Sequence, residues 1–162
     1  MNATLEITAP DKQKTTKRGS PEILLVDDDP AIRRIIPRLL AEEGYVAHTA
    51  EDGARALHLA SVIEFDLVLL DLNMPVKDGW ETLEQLLITN PELPVIIITA
   101  RPNQFFTALA SGVGALLEKP LDFTKLFKTI RELLAETPAE RVARTAGRPA
   151  PFHYISSIPG HR

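Results

Sequence analysis

Short apolar runs alternate along the chain with longer stretches whose apolar residues recur every three or four positions. Ile23–Val26, Phe65–Leu70 and Val95–Ile98 are continuous and rich in Val, Ile and Leu, so they predict strands buried on both faces. Tyr45–Ala50 and Ala115–Leu117 predict two shorter strands. Helical spacing fills the intervals. Ile32, Ile35, Ile36, Leu39 and Leu40 form one inward face, and Ala56, Leu57 and Ala60 a second. Trp80, Leu83, Leu86 and Leu87 form a third; Gln104–Ser111 predicts a weaker helix. Asp122 opens a last amphipathic helix through Ala135, with Phe123, Leu126, Phe127, Ile130, Leu133 and Leu134 inward. Asp29 suits an N-cap and Pro30 a first helical turn; Gly44 and Gly112 suit helix ends. Pro37 falls inside the first helix, where its missing N–H predicts a kink over Arg33–Pro37. Five strand–helix units over residues 22–136 predict an α/β fold: a five-stranded parallel sheet with five helices on its two faces.

The ends differ from this body. Residues 1–21 are polar with a net charge of +2, and residues 137–162 carry four Arg against Glu140, with four Pro and two Gly. Both stretches are expected to be tails, the second Pro/Arg-rich and disordered. Residues 22–136 hold ten basic against nineteen acidic groups, a balance that argues against nucleic acid as a partner of the folded part. Without cysteine, there can be no disulfide, thiolate metal site or cysteine nucleophile. No apolar run reaches the roughly 18 residues of a membrane span, and the first residues lack a signal-peptide core. The expectation is a cytoplasmic protein with no membrane contact.

Polar residues sit where the predicted strands end: Asp27 and Asp28 after the first, Asp71 after the third, Thr99 after the fourth, Lys119 after the fifth. In a parallel sheet those ends share one edge, where ligands bind. Alone, Asp71 reads equally as a loop cap beside Pro75, and Asp28, Thr99 and Lys119 each have an ordinary strand-end reading. Together, three carboxylates repel, and a hard divalent cation such as Mg²⁺ relieves that repulsion. A Lys and a Thr facing them suit a phosphoryl group. There is no Walker-type loop or dinucleotide glycine fingerprint to bring a nucleotide. The phosphoryl would then sit on the protein, with Asp71 the carboxylate best placed as nucleophile.

Ile23–Pro30, Asp71–Gly79, Thr99-Ala100 and Lys119-Pro120 resemble the receiver domain of two-component response regulators, of the chemotaxis-regulator type. The resemblance covers about residues 22–136. It implies a flavodoxin-like, doubly wound sheet of strand order 2-1-3-4-5. It implies Asp27 and Asp28 as the acidic metal pair, Asp71 as phosphoacceptor and the Asn73 carbonyl as a further metal ligand. Thr99 would be the switch hydroxyl, Lys119 the phosphoryl-sensing cation, and Lys119–Pro120 a cis bond. The implied partners are a histidine kinase or histidine phosphotransfer protein, a downstream protein target, and a second copy on phosphorylation.

The chain departs from that pattern in three places. Leu116 stands where the family usually has Tyr or Phe; the stretch from Thr99 to Lys119 is about two residues short, which predicts a short or displaced fourth helix; and Pro37 lies in the helix that docks the kinase. In the family, the positions of Asn73 and Arg101 tune acyl phosphate lifetime. The reading that follows is a single-domain phosphoacceptor rather than an enzyme, switching protein contacts. In an alternative, the basic tails bind nucleic acid or an acidic partner. A phospho-aspartate hydrolase is the third reading, and it lacks the second carboxylate that Asn73 replaces.

Overall fold

The computed structural model describes residues 19–74, 78–148 and 150–157. Residues 1–18 of the expected N-terminal tail, Pro75 after Asp71 and residues 158–162 lie outside the described residues. The elements are β1 (Glu22–Val26), α1 (Pro30–Glu42), β2 (Val46–Ala50), α2 (Gly53–Val62), β3 (Leu67–Asp71), α3 (Gly79–Thr89), β4 (Val95–Thr99), α4 (Phe105–Ala110), β5 (Ala115–Glu118), α5 (Phe123–Leu134), α6 (Pro138–Thr145) and β6 (His153–Ile155).

All strand pairs are parallel, in the order β2-β1-β3-β4-β5-β6. Successive side chains on a strand face opposite ways, and the sheet uses both faces. Leu24, Val26, Val68, Leu70, Val95, Ile97 and Leu116 pack with α2, α3 and α4. Ile23, Leu25, Leu67, Leu69, Ile96, Ile98 and Leu117 pack with α1 and α5. This is the doubly wound arrangement expected from continuous apolar runs. Helix starts follow the predicted chemistry: Asp29 accepts from the Ala31 N–H at 2.8 Å and Asp122 from the Lys125 N–H at 3.1 Å. α1 is helical through Pro37. Two expected core positions are at the surface, Ile35 at 48% exposure and Phe123 at 37%. Each sits at the margin of its helix's apolar face. α4 has only six residues, as the shortened stretch before Lys119 anticipated.

The five-stranded, five-helix expectation needs correction: there are six of each, because the described part of 137–157 folds onto the domain instead of trailing from it. Thr137 caps α6 in a capping box, accepting from the Glu140 N–H at 3.2 Å while Glu140 accepts from the Thr137 N–H at 2.7 Å. The helix is held by a charge rather than an apolar stripe. Arg144 is 6% exposed; it donates to the Glu136 carboxylate at 2.8 Å and to the Gly112 carbonyl at 2.7 Å. The chain then returns as β6, whose His153 N–H donates to the Gly114 carbonyl at 3.1 Å. Phe152 joins the core beside Phe105, ring centres 5.7 Å apart. No described helix is long and apolar enough to cross a membrane.

Glu136 and Arg144 are both nearly inaccessible to water, so removing one leaves the other buried and unpaired. Arg144→Met is expected to cost about 3–5 kcal/mol in urea denaturation. A loss below about 1 kcal/mol would mean that the pair behaves like an exposed one.

Candidate functional site

β1, β3, β4 and β5 deliver Asp27, Asp71, Thr99 and Lys119 to one edge of the sheet, and the register explains the convergence. Val26 lies beside Leu70, Asp71 beside Ile98 and Thr99 beside Glu118, so the strands end nearly level. Asp27 is 1% exposed, Asp71 2% and Thr99 0%, whereas Asp28 and Asn73 are exposed. Ligand oxygens of Asp27, Asp28 and Asp71 all lie within 4.8 Å of one another.

Lys119 enters this acidic pocket from β5. Its Nζ stands 3.2 Å from Asp27 Oδ2 and 3.3 Å from Asp71 Oδ2. The opposite oxygens are held by backbone: Asp27 Oδ1 accepts from the Asp29 N–H and Asp71 Oδ1 from the Asn73 N–H, both at 2.9 Å. Burial pushes the Asp27 carboxyl above its ordinary pKa, against the opposing pull of the Asp29 N–H and Lys119; the Asp71 charge adds to the rise. For Lys119, burial favours the neutral amine, but attraction to Asp27 and Asp71 and hydrogen bonds to both outweigh it, so its pKa is raised. The group is an ammonium at neutral pH.

Thr99 Oγ1 accepts from the Arg101 N–H at 2.9 Å. The Arg101 guanidinium reaches back across the mouth, with Nη2 3.5 Å from Asn73 Oδ1 and Nη1 3.8 Å from Asp78 Oδ1. The Lys119–Pro120 bond is cis. A hard cation suits the donor set, since its carboxylate oxygens converge and include one exposed group.

The structure thus brings together Asp27, Asp28, Asp71 and Lys119, with Thr99 and Asn73 held to their immediate neighbours at the rim. Sequence reasoning passed over three supporting residues. Arg33 sends Nη1 to the Asp27 carbonyl at 2.8 Å, bracing the β1 end from α1. Gly79 lies so close to the β3 end that a Cβ there would stand 2.6 Å from Leu72 Cα and 2.7 Å from the Asp71 carbonyl oxygen. Glu118 is tied into β6, as described below. Gly79 alone left a trace in the sequence, as a glycine opening a helix after a strand-end carboxylate.

A doubly wound parallel sheet with this acidic pocket defines a class of phosphoryl-responsive signalling domains. Within it, the family model for the response regulator receiver domain matches residues 23–131, and the chain belongs to that family. The transcriptional regulatory protein ZraR of Klebsiella oxytoca is 39% identical over 143 residues, 87% of this chain and 32% of that protein. The response regulator MprA of Mycobacterium ulcerans is 37% identical over 123 residues, 75% of this chain and 53% of that protein. The chain therefore spans about a third to a half of the length of these relatives. Among solved structures, a CheY-like receiver domain protein from Methanospirillum hungatei superposes with a TM-score of 0.68 at 30% identity, covering 72% of this chain and 94% of that one. The response regulator TrrA of Thermotoga maritima, solved with Mg²⁺ and BeF, gives 0.65 at 31% identity, covering 70% and 98%. The flavodoxin-like fold and the two-component class expected from the motifs are both borne out.

The raised Asp27 pKa has a sign. The folded state holds its proton more tightly than the unfolded chain, so this contribution is full at low pH and is lost as pH rises through the raised value. In chelator at neutral pH, Asp27→Asn is expected to be more stable than wild type by urea denaturation, and to lose that pH-dependent fall. A variant less stable than wild type at every pH would show that the tie to Lys119 outweighs desolvation.

Proposed function

We propose that this receiver accepts a phosphoryl group on Asp71 from the phosphohistidine of a histidine kinase or histidine phosphotransfer protein, and that the added charge switches protein–protein contacts. The observation that carries this reading is the convergence of Asp27, Asp28 and Asp71 within 4.8 Å, opposed by the half-buried Lys119 ammonium. A carboxylate oxygen of Asp71 attacks phosphorus in line. The phosphorus–nitrogen bond to the donor imidazole breaks with its electron pair returning to nitrogen, and an acyl phosphate forms. Asp27, Asp28, Asp71 and the Asn73 carbonyl would hold Mg²⁺, whose charge neutralises the phosphoryl oxygens when it is bound.

The chain's own groups supply the rest. Lys119, already poised between two carboxylates, pairs with the transferred group. Thr99, at the end of β4 one strand away from Lys119, offers its hydroxyl as a donor. Arg101, spanning Asn73 and Asp78, flanks the route by which water reaches the acyl phosphate. The chain is a phosphoacceptor in this reading, with Mg²⁺-dependent self-phosphorylation from small donors and autodephosphorylation, rather than a turnover enzyme. The output is a protein contact, including a second copy of the chain on phosphorylation. Nucleic acid is not proposed as a partner of the folded part, given its acidic balance. Output through the basic C-terminal residues loses support, because Arg144 is spent on a buried pair with Glu136.

Acetyl phosphate with Mg²⁺, followed by intact mass, is expected to add one phosphoryl group. The adduct should be absent in Asp71→Asn and in the presence of chelator. Mg²⁺ alone is expected to raise the Tm of the wild type and to leave Asp28→Asn nearly unchanged. A folded wild type whose mass does not change would defeat the proposal.

A further inference from the structure

The carboxyl end of β5 is gripped from two sides. On one side Lys119 reaches past β4 to Asp71 at the end of β3. On the other, β6 closes around Glu118, the residue before Lys119. Tyr154 Oη donates to Glu118 Oε1 at 2.7 Å, Ser156 Oγ to Oε2 at 3.1 Å, and the Ser157 N–H to Oε2 at 3.2 Å. The Tyr154 hydrogen bond leads, and it holds the Glu118 carboxyl below its ordinary pKa against the opposing effect of burial.

Besides this clamp, β6 is held by its ladder to β5 and by Phe152 and Ile155 packed at the edge of the core. It is three residues long, and its register sets Tyr154 beside Leu116. The Tyr154 ring meets Phe105 of α4 edge-on at 5.2 Å. His153 Nδ1 lies 3.2 Å from Glu132 of α5, where both side chains remain partly in water.

We infer that the C-terminal strand β6 is a latch on the phosphorylation site, fastened through Glu118 in the unphosphorylated protein and loosened when Asp71 carries a phosphoryl group. The inference rests on Asp71 being the phosphoacceptor. Its direction comes from sheet order. A phosphoryl dianion at the end of β3 draws Lys119 toward β3, and the clamp holds Glu118 toward β6 on the opposite flank of β5. Both grips are held at once in this structure, so a stronger pull on Lys119 is passed through one peptide bond and works against the clamp on Glu118. The Lys119 N–H is also bonded to the Thr99 carbonyl at 2.8 Å, so movement at either residue reaches the β4 end. Because binding free energies are reciprocal, loosening the latch must favour the phosphorylated state by the same factor that phosphorylation loosens the latch.

Two measurements on the full chain test this. Hydrogen exchange of residues 150–157 is compared with and without acetyl phosphate and Mg²⁺, with intact mass recording the phosphorylated fraction. Exchange is expected to quicken by about fivefold or more in phosphorylated protein. Unchanged or slower exchange in protein that carries the phosphoryl group would overturn the latch and leave the phosphoacceptor reading intact. A mass without the phosphoryl group would remove both. In the second arm, Tyr154→Phe keeps the half-exposed ring and deletes only the hydroxyl. With Mg²⁺ and beryllofluoride, which binds reversibly as a phosphoryl mimic, this variant is expected to bind more tightly than wild type, and its 150–157 amides should exchange faster before any mimic is added. Faster resting exchange with unchanged beryllofluoride affinity would show a strand end that is loose but uncoupled, and would refute the inference.

Discussion

The Lys119 ammonium between Asp27 and Asp71 is the contact on which the carboxyl edge of this sheet depends. Two carboxylates at 1% and 2% exposure face each other across the ends of β1 and β3. Without an opposing charge, one of them would have to hold a proton. Lys119 meets both at little more than hydrogen-bond distance. Backbone N–H groups of Asp29 and Asn73 satisfy the remaining oxygens. The arrangement is high in electrostatic energy and fully partnered, so it responds strongly to a change in charge while staying folded.

The scaffold supplies the rigidity this needs. Strands buried on both faces fix where each strand ends, and level ends turn four separated sequence positions into one pocket. Gly79 belongs to the same logic. Its lack of a side chain lets α3 start against the Asp71–Leu72 backbone, so the main chain at Asp71 is pinned from behind. Arg33 does the same for Asp27 from α1. The mouth, by contrast, is lined by exposed Asn73 and Asp78 and half-buried Arg101, whose longer contacts leave room for an incoming group.

Much of this was legible beforehand. Apolar runs mark three of the five central strands, and two shorter stretches, Tyr45–Ala50 and Ala115–Leu117, mark the others. Strand-end chemistry gave Asp27, Asp28, Asp71, Thr99 and Lys119 before any resemblance was invoked. The C-terminal segment differs from the expected tail because its signals are of another kind. α6 buries an arginine in place of an apolar stripe, so hydrophobic periodicity does not reveal it. Thr137-Pro138-Ala139-Glu140, a capping box with Pro at the first helical position, was the available clue. β6 is three residues with a His and a Tyr rather than an aliphatic run, and it is placed where β5 offers it an edge and Glu118 an anchor. Ile35 and Phe123 show the ordinary limit of helical spacing: it identifies a face but not where that face ends.

The parallel sixth strand also changes the polarity of the domain's exit. A chain finishing at α5 would leave from the end of the sheet where strands begin, the full length of a strand away from Asp71. Here α6 and β6 carry the backbone once more across the domain, and Ser157 comes to rest against Glu118 at the carboxyl edge. Geometry alone then makes Ser157, the last described residue, a neighbour of the strand end that carries Lys119.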